Sequence, residues 1–316
     1  MTNIKIPLSV PAGSRGEYRL NYNRLTNNTG RLLLIAGDQK VEHLNNDFYG
    51  SGIAKEDANP EHLFKIAAAS KGGVLAAHLG LIARYGQDYR QIPYIIKVNG
   101  KTNIGKEEKN SCKLWWKVED ILKFKKQSGL KIVGIGYTLY LGGKYEAKML
   151  AKAARAIFEA HQAGLTAILW VYPRGTGIKE EDIHTIAGGA GIAAALDADF
   201  AKVKYPYGAK NKKATAIKFQ EAVEAAGRTK LICVGGDKRP VNELLEELSL
   251  QISLAGTNGL AMGRNLHQRG LDEATRLTHA LGEIIFREKT VKEATVVYNK
   301  KIKATPVRSN KFLGLF

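Results

Sequence analysis

Eight short runs of β-forming residues, each ending in glycine or a polar residue and separated by helical patterns, set the main constraint on how this chain folds. The runs cover 31–39, 73–80, 93–100, 131–137, 165–172, 200–205, 230–235 and 259–263. A helical pattern over 60–70 precedes the second, and an alanine-rich one over 144–163 feeds the fifth. Alternating β and α patterns imply a parallel sheet, because a crossover helix returns the chain to start the next strand in the same direction. Eight such units in about 230 residues match the count and size of a TIM (β/α)8 barrel, an α/β fold. An open doubly wound sheet usually has fewer strands and a glycine-rich turn after the first. Here the first run leads into Gly37-Asp38-Gln39-Lys40-Val41-Glu42-His43, which is no dinucleotide fingerprint. The expected organisation is an N-terminal extension over 1–30, the barrel over 31–285 and a basic C-terminal extension over 286–316.

Composition narrows the function. With 316 residues and 44% hydrophobic content, a large core is within reach. No run approaches 18 apolar residues and the first residues lack the apolar stretch of a signal peptide, so a cytoplasmic protein with no membrane partner is expected. The net charge of +18 draws anionic ligands, whether nucleic acid, an anionic membrane or phosphorylated metabolites. A nucleic-acid role is the less favoured of these, because no zinc-finger or RNA-recognition signature accompanies the charge. The two cysteines make no disulfide framework, and the seven scattered histidines make no metal motif. No metal and no cofactor are expected, and no Gly-x-Ser-x-Gly elbow marks a hydrolase.

Active-site residues of a barrel come from the C-terminal ends of its strands, so each run is read there. The sixth carries Lys202 and Lys204 on one face, about 7 Å apart, and in a sheet covered on both sides that face is interior. A lysine pressed against another cation in a dry site has a lowered pKa, and a neutral amine attacks carbonyls. The expectation is a Schiff base on Lys204 with Lys202 beside it. Asp38 ends the first run on the inward face, as a lysine partner, a proton-transfer group or a helix N-cap. Lys97 and Asn99 share a face of the third run, facing either the interior or water. Trp170 and Tyr172 close the fifth, as a pocket wall and a proton-transfer phenol or as packing. His43 reaches the mouth from the first loop as a hydrogen-bonding residue. Gly235, Gly236, Gly263 and Arg264 follow the last two strands and offer close backbone approach and a bidentate cation, the makings of a phosphate site.

Taken together, Asp38-Gln39-Lys40-Val41-Glu42-His43, Trp170-Val171-Tyr172-Pro173-Arg174-Gly175, Asp199-Phe200-Ala201-Lys202-Val203-Lys204, Gly235-Gly236 and Gly263-Arg264-Asn265 resemble the archaeal-type class I fructose-bisphosphate aldolases. These belong to a wider barrel family with deoxyribose-phosphate aldolase-like enzymes, and the resemblance covers about residues 30–285. It implies metal-free cleavage of fructose 1,6-bisphosphate through a Schiff base on Lys204, with Asp38 as first-strand aspartate and Tyr172 as acid/base. Trp170, Lys202, Lys97 and His43 would line the substrate site, and Gly235, Gly236, Gly263 and Arg264 would hold the phosphate. A homo-oligomer is implied as well. Lys40 and Leu44 stand where the first-strand motif usually has glycine, and Val234 stands where a serine is common. A synthase or thiolase using the same lysine on another phosphorylated ketone, such as a precursor of an aromatic amino acid, is the nearest alternative. A basic nucleic-acid-binding barrel without catalysis is the alternative from another class.

Overall fold

A computed structural model describes residues 4–105, 110–208 and 210–300. Eight parallel strands close into a barrel: β1 (Leu32–Ala36), β2 (Gly73–His78), β3 (Tyr94–Lys97), β4 (Ile132–Leu141), β5 (Thr166–Pro173), β6 (Phe200–Val203), β7 (Lys230–Val234) and β8 (Gly259–Met262). β1 pairs with both β2 and β8, so the ring has no open edge and the open-sheet alternative falls away. All eight runs become strands because helices cover them on one face and the barrel fills the other, so each reads as nearly continuous apolar sequence.

Alternation divides the side chains of each strand. Leu32, Leu34, Val74, Ala76, Ile95, Val133, Ile168, Trp170, Phe200, Ile232 and Ala261 fill the barrel, whereas Leu33, Ile35, Leu75 and Ile96 join the larger layer under the helices. On β3 this register turns Lys97 inward with Ile95, and on β6 it turns Lys202 inward with Phe200. β4 and β5 remain paired as far as Leu141 and Pro173, which raises Tyr140 and Tyr172 as a wall at the C-terminal mouth. A two-stranded ribbon of Asn99–Gly100 and Lys113–Leu114 stands beside them.

Residues before β1 close the other end. In the helix Arg15–Leu25, Tyr18, Tyr22 and Leu25 are buried and join the barrel-filling cluster together with Val10. After β8, the helix Leu271–Arg287 runs across position 286 and packs on Val291–Asn299, a helix opened by a Thr290–Glu293 capping box. Positions 301–316 of the basic C-terminal segment lie outside the described residues. Among the described residues, no helix is long and apolar enough to cross a membrane.

Candidate active site

The strand register stacks the polar residues of the mouth in two levels. Lys202 pairs with Trp170 at the last hydrogen-bonded position between β5 and β6, one level below Tyr172. Here the barrel is still closed by its ladder, and Lys202 is 4% exposed. Its Nζ lies 5.0 Å over the Trp170 ring, and the Nζ of Lys97, which is fully buried, lies 5.4 Å over the same ring. Room for the indole comes from Gly136 on β4, where a Cβ would come within 2.4 Å of Trp170.

The two lysines differ in their partners. The Lys97 ammonium donates to the backbone oxygen and to Oδ1 of Asn99, both at 3.0 Å, and Asn99 is itself pinned to the backbone of Thr138 on both sides of its amide. Among the described residues, the Lys202 ammonium has no hydrogen bond and no ion pair. Burial, and next the Lys97 charge, push its pKa down, against the opposing pull of Asp38 and Glu42. Burial works against ionisation of Asp38, but the fields of Lys202 and Lys97 prevail and hold its carboxyl below the usual range. Asp38 begins the short helix Gln39–Glu42 but makes no side-chain cap, and among the described residues its Oδ1 has no partner. It acts on Lys202 through its charge and not as a helix cap.

Lys204 lies one level higher, past the end of β6, and there the expectation fails. Without a ladder to hold it, its side chain turns to the rim, is 30% exposed, and pairs with Glu180, with Glu181 at 3.8 Å. Glu180 uses its other oxygen on Arg174, so one carboxylate bridges two cations. The properties that pointed to Lys204, burial and an unpaired amine beside another cation, belong to Lys202. Alternation placed both lysines on one face correctly, but the strand ends between them.

Tyr172 is stacked on Tyr140 at 6.0 Å, with the Arg174 guanidinium 4.8 Å over its ring. Burial, then the charges of Asp38 and Glu42, raise its pKa and keep the phenol protonated. Trp170 is buried, and among the described residues its indole N–H finds no acceptor. These groups line a cavity of about 220 Å³ with Asp38, Lys202, Lys204 and, on the far side, Gly236 and Arg264.

The phosphate end is only partly as expected. Arg264 and Gly236 line the cavity, and Gly236 has the left-handed φ of 69° that glycine adopts without strain. Gly235 is not a free donor, since its N–H bonds to the Ala261 carbonyl and its own carbonyl accepts from Arg239 and Asn265. A Cβ at Gly235 or at Gly263 would strike Met262 or Gln39, so both glycines are needed for packing behind the cavity wall. His43 reaches the cavity edge and is bonded to Asp47 at 2.6 Å. Arg264 pairs with the exposed Asp237 and lies 3.8 Å from Asp47. Leu44 carries a φ of 58°, which explains why glycine is usual there.

Four further residues belong to this site without having been singled out as candidates. Arg174, Glu180 and Asp237 follow strands in loops, where sequence gives no contact. His78, the last residue of β2, pairs in register with Lys97, and its ring lies tilted against Trp115 at 4.8 Å. Burial and the Lys97 charge lower its pKa to about 4, so it stays neutral.

The family model described as DeoC/LacD family aldolase matches residues 32–269. A protein of Methanocaldococcus jannaschii named fructose-bisphosphate aldolase/6-deoxy-5-ketofructose 1-phosphate synthase is 49% identical over 297 residues, 94% of each chain. A class 1 fructose-bisphosphate aldolase of Halobacterium salinarum is 31% identical over 84% of this chain and 94% of its own. Among solved structures, a fructose-bisphosphate aldolase from Slackia heliotrinireducens superimposes with a TM-score of 0.91 at 45% identity, covering 96% of both chains. An archaeal fructose-1,6-bisphosphate aldolase, solved with its catalytic lysine bound to the carbinolamine intermediate, gives a TM-score of 0.72 at 28% identity over 85% of this chain and 99% of its own.

Proposed function

This chain belongs to the DeoC/LacD family of aldolases, and we propose that it is a class I aldolase that cleaves and forms fructose 1,6-bisphosphate through a Schiff base on Lys202. The observation that carries the nucleophile is the buried, unpartnered amine of Lys202, whose pKa is lowered by burial and the Lys97 charge. The neutral amine attacks the C2 ketone, and proton transfer gives a carbinolamine. The protonated Tyr172 then gives its proton to the departing hydroxyl, which leaves as water, and the lysine becomes an iminium. The Tyr172 phenolate, now next to a cation, takes the C4 hydroxyl proton as the C3–C4 bond breaks, releasing the aldehyde. The bonding electrons move into the iminium to give an enamine and restore the phenol. Protonation and hydrolysis of the enamine release dihydroxyacetone phosphate and the free amine. Asp38 faces the cation formed in this sequence, and Arg264 with Gly236 receives the 1-phosphate.

Intact-mass analysis with dihydroxyacetone phosphate and borohydride tests the assignment. A reduction-dependent adduct is expected in Lys204→Met and absent in Lys202→Met. The reverse pattern removes Lys202 from the mechanism.

A second reading shares the first half-reaction. The name of the M. jannaschii relative includes a synthase of 6-deoxy-5-ketofructose 1-phosphate, and the aldol disconnection of that sugar gives the same triose phosphate with unphosphorylated 2-oxopropanal. The observation in its favour is Glu180, which engages both Arg174 and Lys204 at the rim and offsets part of the charge a second phosphate would use. Initial rates of condensation with glyceraldehyde 3-phosphate and with 2-oxopropanal, measured side by side, separate the two.

A further inference from the structure

A cavity of about 910 Å³ lies at the opposite end of the barrel. The N-terminal segment roofs it, and its walls come from the starts of strands: Arg31 before β1, Asp199 before β6, Lys230 opening β7 and Asn258 before β8. None of these residues takes part in the chemistry above.

Its charge is unbalanced. Arg31 is paired with Glu288 at 2.8 Å, but among the described residues no carboxylate pairs with Lys5, Arg228 or Lys230, all of which line the cavity. The two acids in the wall are already engaged. Asp197 and Asp199 hold His161 between them at 3.2 and 3.1 Å, and Asp199 also accepts from the Tyr18 hydroxyl and from the Ala167 N–H. His161 is held in its charged form, because these carboxylates overcome burial and raise its pKa to about 9.

A donor also faces the cavity. Tyr22 lines it, and among the described residues its hydroxyl makes no hydrogen bond, so it is available to a molecule bound there. Ile4 and Ile6 add an aliphatic part to the wall, and the volume is in the range of small-molecule sites.

We propose that this cavity is a second, non-catalytic site for a small polyphosphorylated metabolite, whose phosphates are met by Lys5, Arg228 and Lys230 and whose oxygens accept from Tyr22. Two phosphates supply the charge that three unpaired cations lack, and the organic part fits against Ile4, Ile6 and the Tyr22 ring.

Inorganic pyrophosphate, titrated calorimetrically into the full chain at low salt, is the probe. Arg264→Ala removes the cation of the catalytic 1-phosphate end, and the variants below show whether the binding that survives in this variant lies at the second site. In that background, Arg228→Ala with Lys230→Ala should weaken binding by about tenfold, since each lost charge-assisted contact removes a fraction of the roughly 1.4 kcal/mol that corresponds to a decade. The borohydride-trapped adduct of the double variant, made without the Arg264 change, should stay at the parent level. Tyr22→Phe, which keeps the ring and its packing, should weaken pyrophosphate binding as well and decides the matter if the charge variants do not fold. No binding at millimolar pyrophosphate, or binding lost with Arg264→Ala and unchanged by Tyr22→Phe and the charge pair, would overturn the proposal.

Discussion

If Lys97 helps to keep Lys202 reactive, removing its charge must shift the pH dependence of Schiff-base formation in a calculable direction. The two ammonium groups lie 5.4 and 5.0 Å from the centre of one indole ring, so they are no more than about 10 Å apart, and at an effective dielectric near 20 two unit charges at that separation repel by about 1.7 kcal/mol. The Lys97 charge disfavours the charged form of Lys202, and Lys97→Met should therefore raise the Lys202 pKa. Below the midpoint this means less neutral amine, and a repulsion of that size corresponds to about tenfold slower trapping by dihydroxyacetone phosphate with borohydride. Asp38 acts with the opposite sign, so Asp38→Asn should move the midpoint down. The assay is the rate of adduct formation from about pH 5 to pH 9 in the three proteins, with the site of modification mapped. A midpoint that is unmoved or lowered in Lys97→Met, in folded protein, would refute the electrostatic argument even if Lys202 proved to be the nucleophile.

Arg264→Ala should raise KM for the ketose 1-phosphate by about tenfold, less than a phosphate contact alone would give, because the substrate displaces Asp237 from Arg264 rather than meeting a free cation; an unchanged KM would move the phosphate elsewhere. Glu180→Gln frees Arg174 and Lys204 of their shared counterion, so kcat/KM for fructose 1,6-bisphosphate relative to fructose 1-phosphate should rise several-fold, and a constant ratio in steady-state assays would contradict that role. The His161 pKa is raised in the fold from 6.5 to about 9. The associated stabilisation of about 3 kcal/mol is fully present below pH 6.5 and is lost as pH rises through 9. Urea denaturation at pH 6 and pH 10 should show the gap between the parent and His161→Gln narrowing at the higher pH, and an equal gap at both would refute the linkage.

The barrel was legible in the sequence because parallel strands covered on both faces leave runs such as Leu32–Ala36 and Phe200–Val203, and their number, with no dinucleotide fingerprint after the first, favours a closed ring over an open sheet. The identity of the inward face was legible too, for Leu32 and Leu34 and for Trp170 with Ile168. Strand ends were not. The ladder of β6 stops at Val203 for reasons of pairing with β5 and β7 that no local pattern carries, and that one residue separates a buried amine at Lys202 from an ion-paired one at Lys204. The register of Lys97 was likewise open until β3 was seated between β2 and β4. The helix Arg15–Leu25 was read as part of an extension because its buried face is made of Tyr18, Asn21, Tyr22 and Leu25, whose polar atoms hide the periodicity that an aliphatic stripe would show. Arg174, Glu180 and Asp237 meet their partners only through loop conformation, so no spacing rule could have joined them.

The depth of Lys202 in the barrel bears on how catalysis is divided between ground state and transition state. A lysine at the rim finds carboxylates, as Lys204 does with Glu180 and Glu181. One level lower, the ladder is complete and Trp170 forms the wall, so the free amine is denied them. Burial then favours the neutral nucleophile, whereas Asp38 and the indole face favour a cation at the same point. These tendencies oppose each other in the free enzyme, where no ion pair joins Lys202 to Asp38. They stop opposing once the iminium forms, because its charge cannot be shed as a proton from an ammonium can. The field of Asp38 and the Trp170 face are then realised in full on the iminium and on the states that lead to it, and such differential stabilisation lowers barriers where uniform binding would not. On this argument Asp38→Asn should shift the trapping midpoint down and yet slow turnover at every pH, which a purely structural role for the aspartate would not produce.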